Sequence, residues 1–171
     1  RGGYKVTIAG QQQIADHLKQ VYSPDGARAF DYDFMGGVYE KTFEVESVSL
    51  EDCPAEQDAT QPLGRHLDGN RVGFDLGASD RKTSAVINGE SVWEEEVPWD
   101  PKNQADWRYH YEGIKHSISS AMEHLPCVDA IGGSSAGVWI NSRALVASLF
   151  RSIPSDDFDA HVKDIMLNIG K

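Results

Sequence analysis

Asp75 and Gly77, separated by one residue at the end of an apolar run, are the residues whose types and spacing best suit chemistry. They lie in Val72-Gly73-Phe74-Asp75-Leu76-Gly77-Ala78-Ser79-Asp80-Arg81-Lys82. A short strand there delivers a carboxylate to the mouth of a sheet, where it can hold hydrated Mg²⁺. Gly77 lets the backbone turn tightly and approach a ligand. Ala78 and Ser79 are small enough to leave backbone N–H groups and one hydroxyl facing phosphate oxygens. Arg81 or Lys82 can supply positive charge to a departing phosphoryl group. Asp-x-Gly alone is common, and a tight turn that happens to carry Asp is the competing account. The strand before it and the hairpin after it favour a phosphate grip.

The elements that must position these residues are well punctuated. Arg71–Leu76 reads as a buried strand, and Thr83–Ile87 and Ser91–Val97 read as strands flanking the Asn88-Gly89 turn signal. Trp93, Val97 and Trp99 share one face of the latter. Asp100-Pro101 has the form of an N-cap and first-turn pair, opening a helix that runs to about Leu125 and stops at Pro126. Cys127–Ile131 is expected to be a buried strand and Gly132–Gly137 a small-residue loop. A final helix carries Phe158, Val162, Ile165, Met166 and Ile169 on one face, with Ser155 as its N-cap. Residues 71–171 therefore read as a mixed α/β sheet with one antiparallel hairpin.

Ahead of this lie an amino-terminal α/β extension over residues 1–50 and a linker over 51–70, which carries Pro54 and Pro62. The extension opens with a strand at Tyr4–Ala9 and a helix with Ile14, Leu18, Val21 and Tyr22 on one face. Further strands are expected around Ala27–Asp33 and Val38–Leu50, separated by Gly36-Gly37.

Composition narrows the function classes. The chain has 171 residues, 40% apolar and 25% charged, as a folded protein requires. A formal charge of −11 disfavours nucleic acid as a partner, because phosphate backbones are gripped by clustered Lys and Arg. No apolar run is long enough for a membrane helix. Cys53 and Cys127 form no CxxC pair and fit a reduced, cytoplasmic setting. The start at Arg1, with neither Met nor a signal-peptide pattern, leads us to expect a fragment or processed product.

Other motifs have plainer accounts. Gly133-Ser134-Ser135-Ala136-Gly137 matches GxSxG, which would make Ser135 the nucleophile of a serine hydrolase. The β-branched and aromatic residues that follow are a poor helix start, and only Asp156, Asp157 or Asp159 with His161 could complete a triad. His110, His116 and His124 are spaced by six and eight residues, which does not bring metal ligands onto one helix face. Glu94-Glu95-Glu96 reads as a solvated edge strand, and Trp93, Trp99 and Trp107 as core packing.

Gly73–Ser79 resembles the first phosphate motif of the actin-like ATPases, and most closely that of the ROK (repressor, open reading frame, kinase) family. The similarity extends from Leu63-Gly64-Arg65-His66-Leu67-Asp68-Gly69 to Gly132–Gly137. It implies an RNase H-like half-domain of an ATP-dependent sugar kinase using ATP and Mg²⁺. Asp75 would position the metal, and Gly77, Ala78 and Ser79 would approach the phosphates, with Ala78-Ser79 standing where the family usually has Gly-Thr. Ser134, Ser135 and Asn141 would lie beside the sugar. The resemblance also implies that the catalytic base, second phosphate motif and adenosine motif follow Lys171. The chain alone would then be inactive, either pairing with that missing half or forming a homodimer. A non-catalytic sugar or nucleotide sensor is the alternative of the same lineage.

Overall fold

The computed structural model describes residues 3–56 and 66–169. The chain divides into two units, Arg1–Pro62 and Leu63–Lys171. It is a mixed α/β protein with both parallel and antiparallel strand pairs.

In the first unit, β1 (Lys5–Ala9) pairs in parallel with β2 (Glu44–Val48), from Lys5 opposite Glu44 to Ala9 opposite Val48. Parallel strands need a long crossover. Here it consists of α1 (Gln12–Val21) and α2 (Ala29–Tyr39). Ala15, Val38 and Phe43 are buried between the layers, and Tyr22 stacks on Phe43 at 5.2 Å. The strand expected at Ala27–Asp33 is instead the start of α2. Phe30-Asp31-Tyr32-Asp33-Phe34 alternates like a strand, but Phe30 and Phe34 stack at helical i, i+4 spacing, 5.6 Å apart. Gly36-Gly37 does not separate strands either. It forms the last turn of α2, where a Cβ on Gly36 would come within 2.9 Å of the Lys41 carbonyl oxygen. The second expected strand shortens accordingly to β2.

In the second unit, β3 (Asn70–Leu76), β4 (Asp80–Ile87) and β5 (Glu90–Pro98) form an antiparallel meander. The Asn88-Gly89 turn has positive φ at both residues (51° and 88°), the conformation that matches hairpin twist. Helix α3 (Trp107–Met122) then crosses back so that β6 (Ala130–Ser135) lies parallel to β3, giving the sheet order β5-β4-β3-β6. The ladder already includes part of the expected linker, since Gly69 and Asn88 exchange backbone and side-chain hydrogen bonds.

Three boundaries differ from expectation. Asp100-Pro101 opens only a short 3-10 turn, Pro101–Asn103. The cap of α3 is Asp106, whose carboxylate accepts from the Arg108 amide. Strand β6 starts later than Cys127 and runs through Ser135, largely exposed as an edge, so Gly132–Ser135 is strand rather than loop. A hairpin follows, β7 (Val138–Ile140) and β8 (Arg143–Val146), turning at Asn141 and Ser142 with φ of 52° and 63°. The last helix is broken: α4 (Ser155–Asp157), a π turn (Phe158–Val162) and α5 (Ile165–Ile169). Ser155 is its first residue, not its cap. The π turn sets Phe158 against Phe150, with Val162 and Ile165 fully buried.

The core gathers Val72, Leu76 and Ala85 of the sheet, Ile114, Ile118 and Ala121 of α3, and Leu149, Phe150, Val162 and Ile165 of the C-terminal segment. Each large aliphatic side chain buried this way stabilises the fold by about 1.5–3 kcal/mol. His110 ties the layers together. It is fully buried, with Nε2 at 3.0 Å from the Pro101 carbonyl oxygen and 3.1 Å from that of Leu149.

Candidate functional site

Strand pairing sorts the candidate residues onto two faces. Residues directly opposite share a face, so Glu96, Lys82, Asp75 and Ser134 form one row across all four strands. Their side chains are exposed. The neighbouring row is Glu94, Ser84, Gly73 and Gly132. With no side chain on Gly73, these rows floor a groove of about 480 Å³ whose lining includes Asp75, Lys82, Ser84, Glu94 and Glu96. On the opposite face, Val72, Leu76, Arg81, Thr83 and Ala85 are buried.

Two motifs far apart in sequence thus meet. The Ser134 hydroxyl donates to Asp75 Oδ1. Asp75 Oδ2 has no protein partner among the described residues. One exposed carboxylate with a free oxygen fits Mg²⁺, which keeps most of its waters and takes its remaining ligands from phosphate. It does not fit a metal held by protein alone, and among the described residues no cluster of three or more His, Cys, Asp or Glu side chains could hold one.

Immediately past β3 the chain turns through Gly77-Ala78-Ser79. The Gly77 amide donates to the Asp80 carbonyl at 2.9 Å, closing the turn. A Cβ on Gly77 would sit 2.9 Å from that same oxygen, so glycine is required by space rather than by φ. The amides of Ala78 and Ser79 have no acceptor among the described residues. The Ser79 hydroxyl donates to Asp80 Oδ2 at 2.9 Å. Lys82 Nζ stands 3.5 Å from Asp80 and 3.9 Å from Glu96, too exposed for either pair to contribute much.

Arg81 is not at the mouth. It is 8% exposed on the helix-side face, donates to the Gly113 carbonyl and lies 5.5 Å over the Trp99 ring. Burial pushes its guanidinium below the ordinary arginine range, partly offset by Tyr109 and Glu95. Alternation along β4 puts Arg81 and Lys82 on opposite faces, so only Lys82 can serve Asp75.

Of the sugar-side candidates, Ser134 and Ser135 both line one cavity beside β6, and Asn141 is not among its lining residues. Ser134 joins Asp75, whereas Ser135 points the other way, its hydroxyl 3.4 Å from the Ala136 carbonyl oxygen. Asn141 is the first corner of the β7–β8 hairpin, an identity that its left-handed φ explains. That cavity, about 560 Å³, mostly apolar and more enclosed than the groove, brings Phe74, Ile118, Trp139, Met166 and Ile169 beside the two serines. A nucleophile elbow needs a helix after the serine, but β6 leads into the β7–β8 hairpin, and His161 stacks on Trp107 at 4.3 Å. Two further histidines have structural partners: His110 braces the core and His124 stacks on Trp93 at 4.7 Å.

Trp99 is buried, as its sequence position suggests, but it also reaches the loop. Its indole Nε1–H donates to the Gly77 carbonyl and its backbone N–H to the Ser79 carbonyl, both at 2.9 Å. Alternation with Trp93 and Val97 places it on the inner face, but nothing in the sequence signals a bond to the loop. Among the described residues, no helix is long and apolar enough to cross a membrane. No protein-family model matches this chain, and no curated protein is similar to it.

Proposed function

We propose that the second unit is the first, phosphate-gripping half of an actin-like, RNase H-type phosphotransferase of ROK type, which in the intact protein uses ATP and Mg²⁺ to phosphorylate a sugar hydroxyl. The observation that carries this reading is the meeting of Asp75, Ser134 and the Gly77–Ser79 loop. A carboxylate with one free oxygen stands at the carboxyl end of a central strand, a hydroxyl from the parallel neighbour steadies it, and two unpartnered amides follow at once. The order of three antiparallel strands, a helix and a parallel strand agrees with the reading. Bound Mg²⁺ would neutralise charge on the phosphate oxygens. That suits a face on which Asp75, Asp80, Glu94 and Glu96 outnumber Lys82, since a bare polyphosphate would be repelled. The residues of the chain would then do three things: Asp75 orients the hydrated metal, Ser134 holds Asp75 in one rotamer, and Ala78 and Ser79 donate to phosphate oxygens.

Calorimetric titration with Mg-ATP tests the proposal. The wild-type chain is expected to bind, with Asp75→Asn weakening affinity at least about tenfold through loss of a charge-assisted contact. Equal binding by both proteins would remove Asp75 from the site.

A further inference from the structure

We infer that Trp99 is a positioning residue for the anion-binding loop, holding it with the Ala78 amide turned outward; this rests on the phosphate-binding reading above. In a trans peptide, the carbonyl of one residue and the N–H of the next point in opposite directions, and no described peptide bond is cis. The Gly77 carbonyl is drawn inward by the Trp99 indole N–H at 2.9 Å. The N–H of Ala78, in the same plane, must therefore point away from the core. Two residues on, the Ser79 carbonyl is drawn to the Trp99 backbone N–H, also at 2.9 Å. One residue thus grips both sides of the turn, once through its side chain and once through its backbone.

The anchor is itself immobilised. Trp99 is 8% exposed, with Arg81 over its ring at 5.5 Å and Tyr109 stacked on it at 6.3 Å. Arg81 is fixed in turn by the Gly113 carbonyl of α3. This gives the buried Arg81 a role different from the one its sequence position suggested: it backs the residue that shapes the loop. Gly77 and Ser79 would otherwise be free to flip their peptide planes, since among the described residues the loop's only other backbone tie is Gly77 to Asp80. A flipped Gly77–Ala78 peptide would present a carbonyl oxygen to the ligand where an N–H is needed and repel phosphate.

Trp99→Phe tests this by removing the indole donor while keeping an aromatic ring under Arg81. A second protein carries benzothienylalanine at position 99, which keeps the bicyclic shape and lacks only the N–H. The probes are Mg-ATP and magnesium pyrophosphate, titrated by calorimetry, with the Ala78 amide followed by ¹⁵N NMR. Wild type should bind both probes and shift the Ala78 resonance. Both altered proteins should stay folded, lose about five- to tenfold in affinity for each probe, as expected for one net hydrogen bond, and lose most of the Ala78 shift. Wild-type affinity in the benzothienylalanine protein, or an undiminished Ala78 shift, would overturn the role of Trp99 and leave the phosphate reading standing. Failure of wild type to bind either probe would overturn both.

Discussion

Replacing His110 by Leu should destabilise the second unit by about 2 kcal/mol. The imidazole is fully buried, and its Nε2 faces two carbonyl oxygens, those of Pro101 and Leu149, at 3.0 and 3.1 Å. Carbonyls only accept, so this nitrogen carries the proton and shares it between them. Leucine fills most of the space but donates nothing. The net hydrogen bond contributes about 1 kcal/mol, and a buried carbonyl left without a donor costs about 1–3 kcal/mol more. Against this, His110 Nδ1 is buried without a partner among the described residues, and deleting it recovers part of that penalty. A net loss of about 2 kcal/mol lowers the unfolding midpoint by roughly 8–16 °C for a domain near 100 residues. Thermal unfolding followed by near-ultraviolet circular dichroism reads it out, with His110→Gln as the control that restores an N–H donor. A midpoint within about 2 °C of wild type for His110→Leu, or a Gln variant no better than Leu, would refute the brace.

Two further outcomes follow from local geometry. Gly137 has φ of 128°, and a Cβ there would stand 2.3 Å from the Val146 carbonyl oxygen, so Gly137→Ala should cost at least about 2 kcal/mol in chemical denaturation, and a neutral substitution would show the β6–β7 turn to be built differently. Asp106 is held below the ordinary carboxylate range chiefly by the Arg108 amide that it caps, then by the Arg108 charge. A depressed folded value means that the stabilisation is present at neutral pH and fades as pH falls through the carboxylate range. The stability difference between wild type and Asp106→Asn should therefore shrink on acidification, and a difference independent of pH would contradict the cap.

Much of the second unit was legible because its signals are local. The apolar run at Arg71–Leu76 and the Asn88-Gly89 turn specify strands and register with little help from distant residues. The misreadings have physical causes. In α2 the alternation of Phe30, Tyr32 and Phe34 imitates a strand, while the partner that decides the matter, Phe43, lies outside that segment and packs on Tyr32 at 6.3 Å. Asp100 and Asp106 are both good caps, and only the buried fit of Pro101 beneath His110 selects the second. The Asn141-Ser142 turn lacks the glycine that advertises a hairpin. In the site, Asp75 and the small residues after it were readable from type and spacing. That Ser134 would reach Asp75, that Arg81 would face inward and that Trp99 would hold the loop all depend on pairing between strands far apart in sequence.

The central claim is that Asp75 and the loop after it hold metal-bound phosphates. Mn²⁺, which shares the octahedral oxygen preference of Mg²⁺, can replace it with ATP in a ¹⁵N NMR experiment, where its unpaired electrons broaden nearby amides. The account predicts ATP-dependent broadening centred on residues 75–79 and on Ser134, abolished by Asp75→Asn. Broadening centred elsewhere, or unchanged in Asp75→Asn, would contradict it.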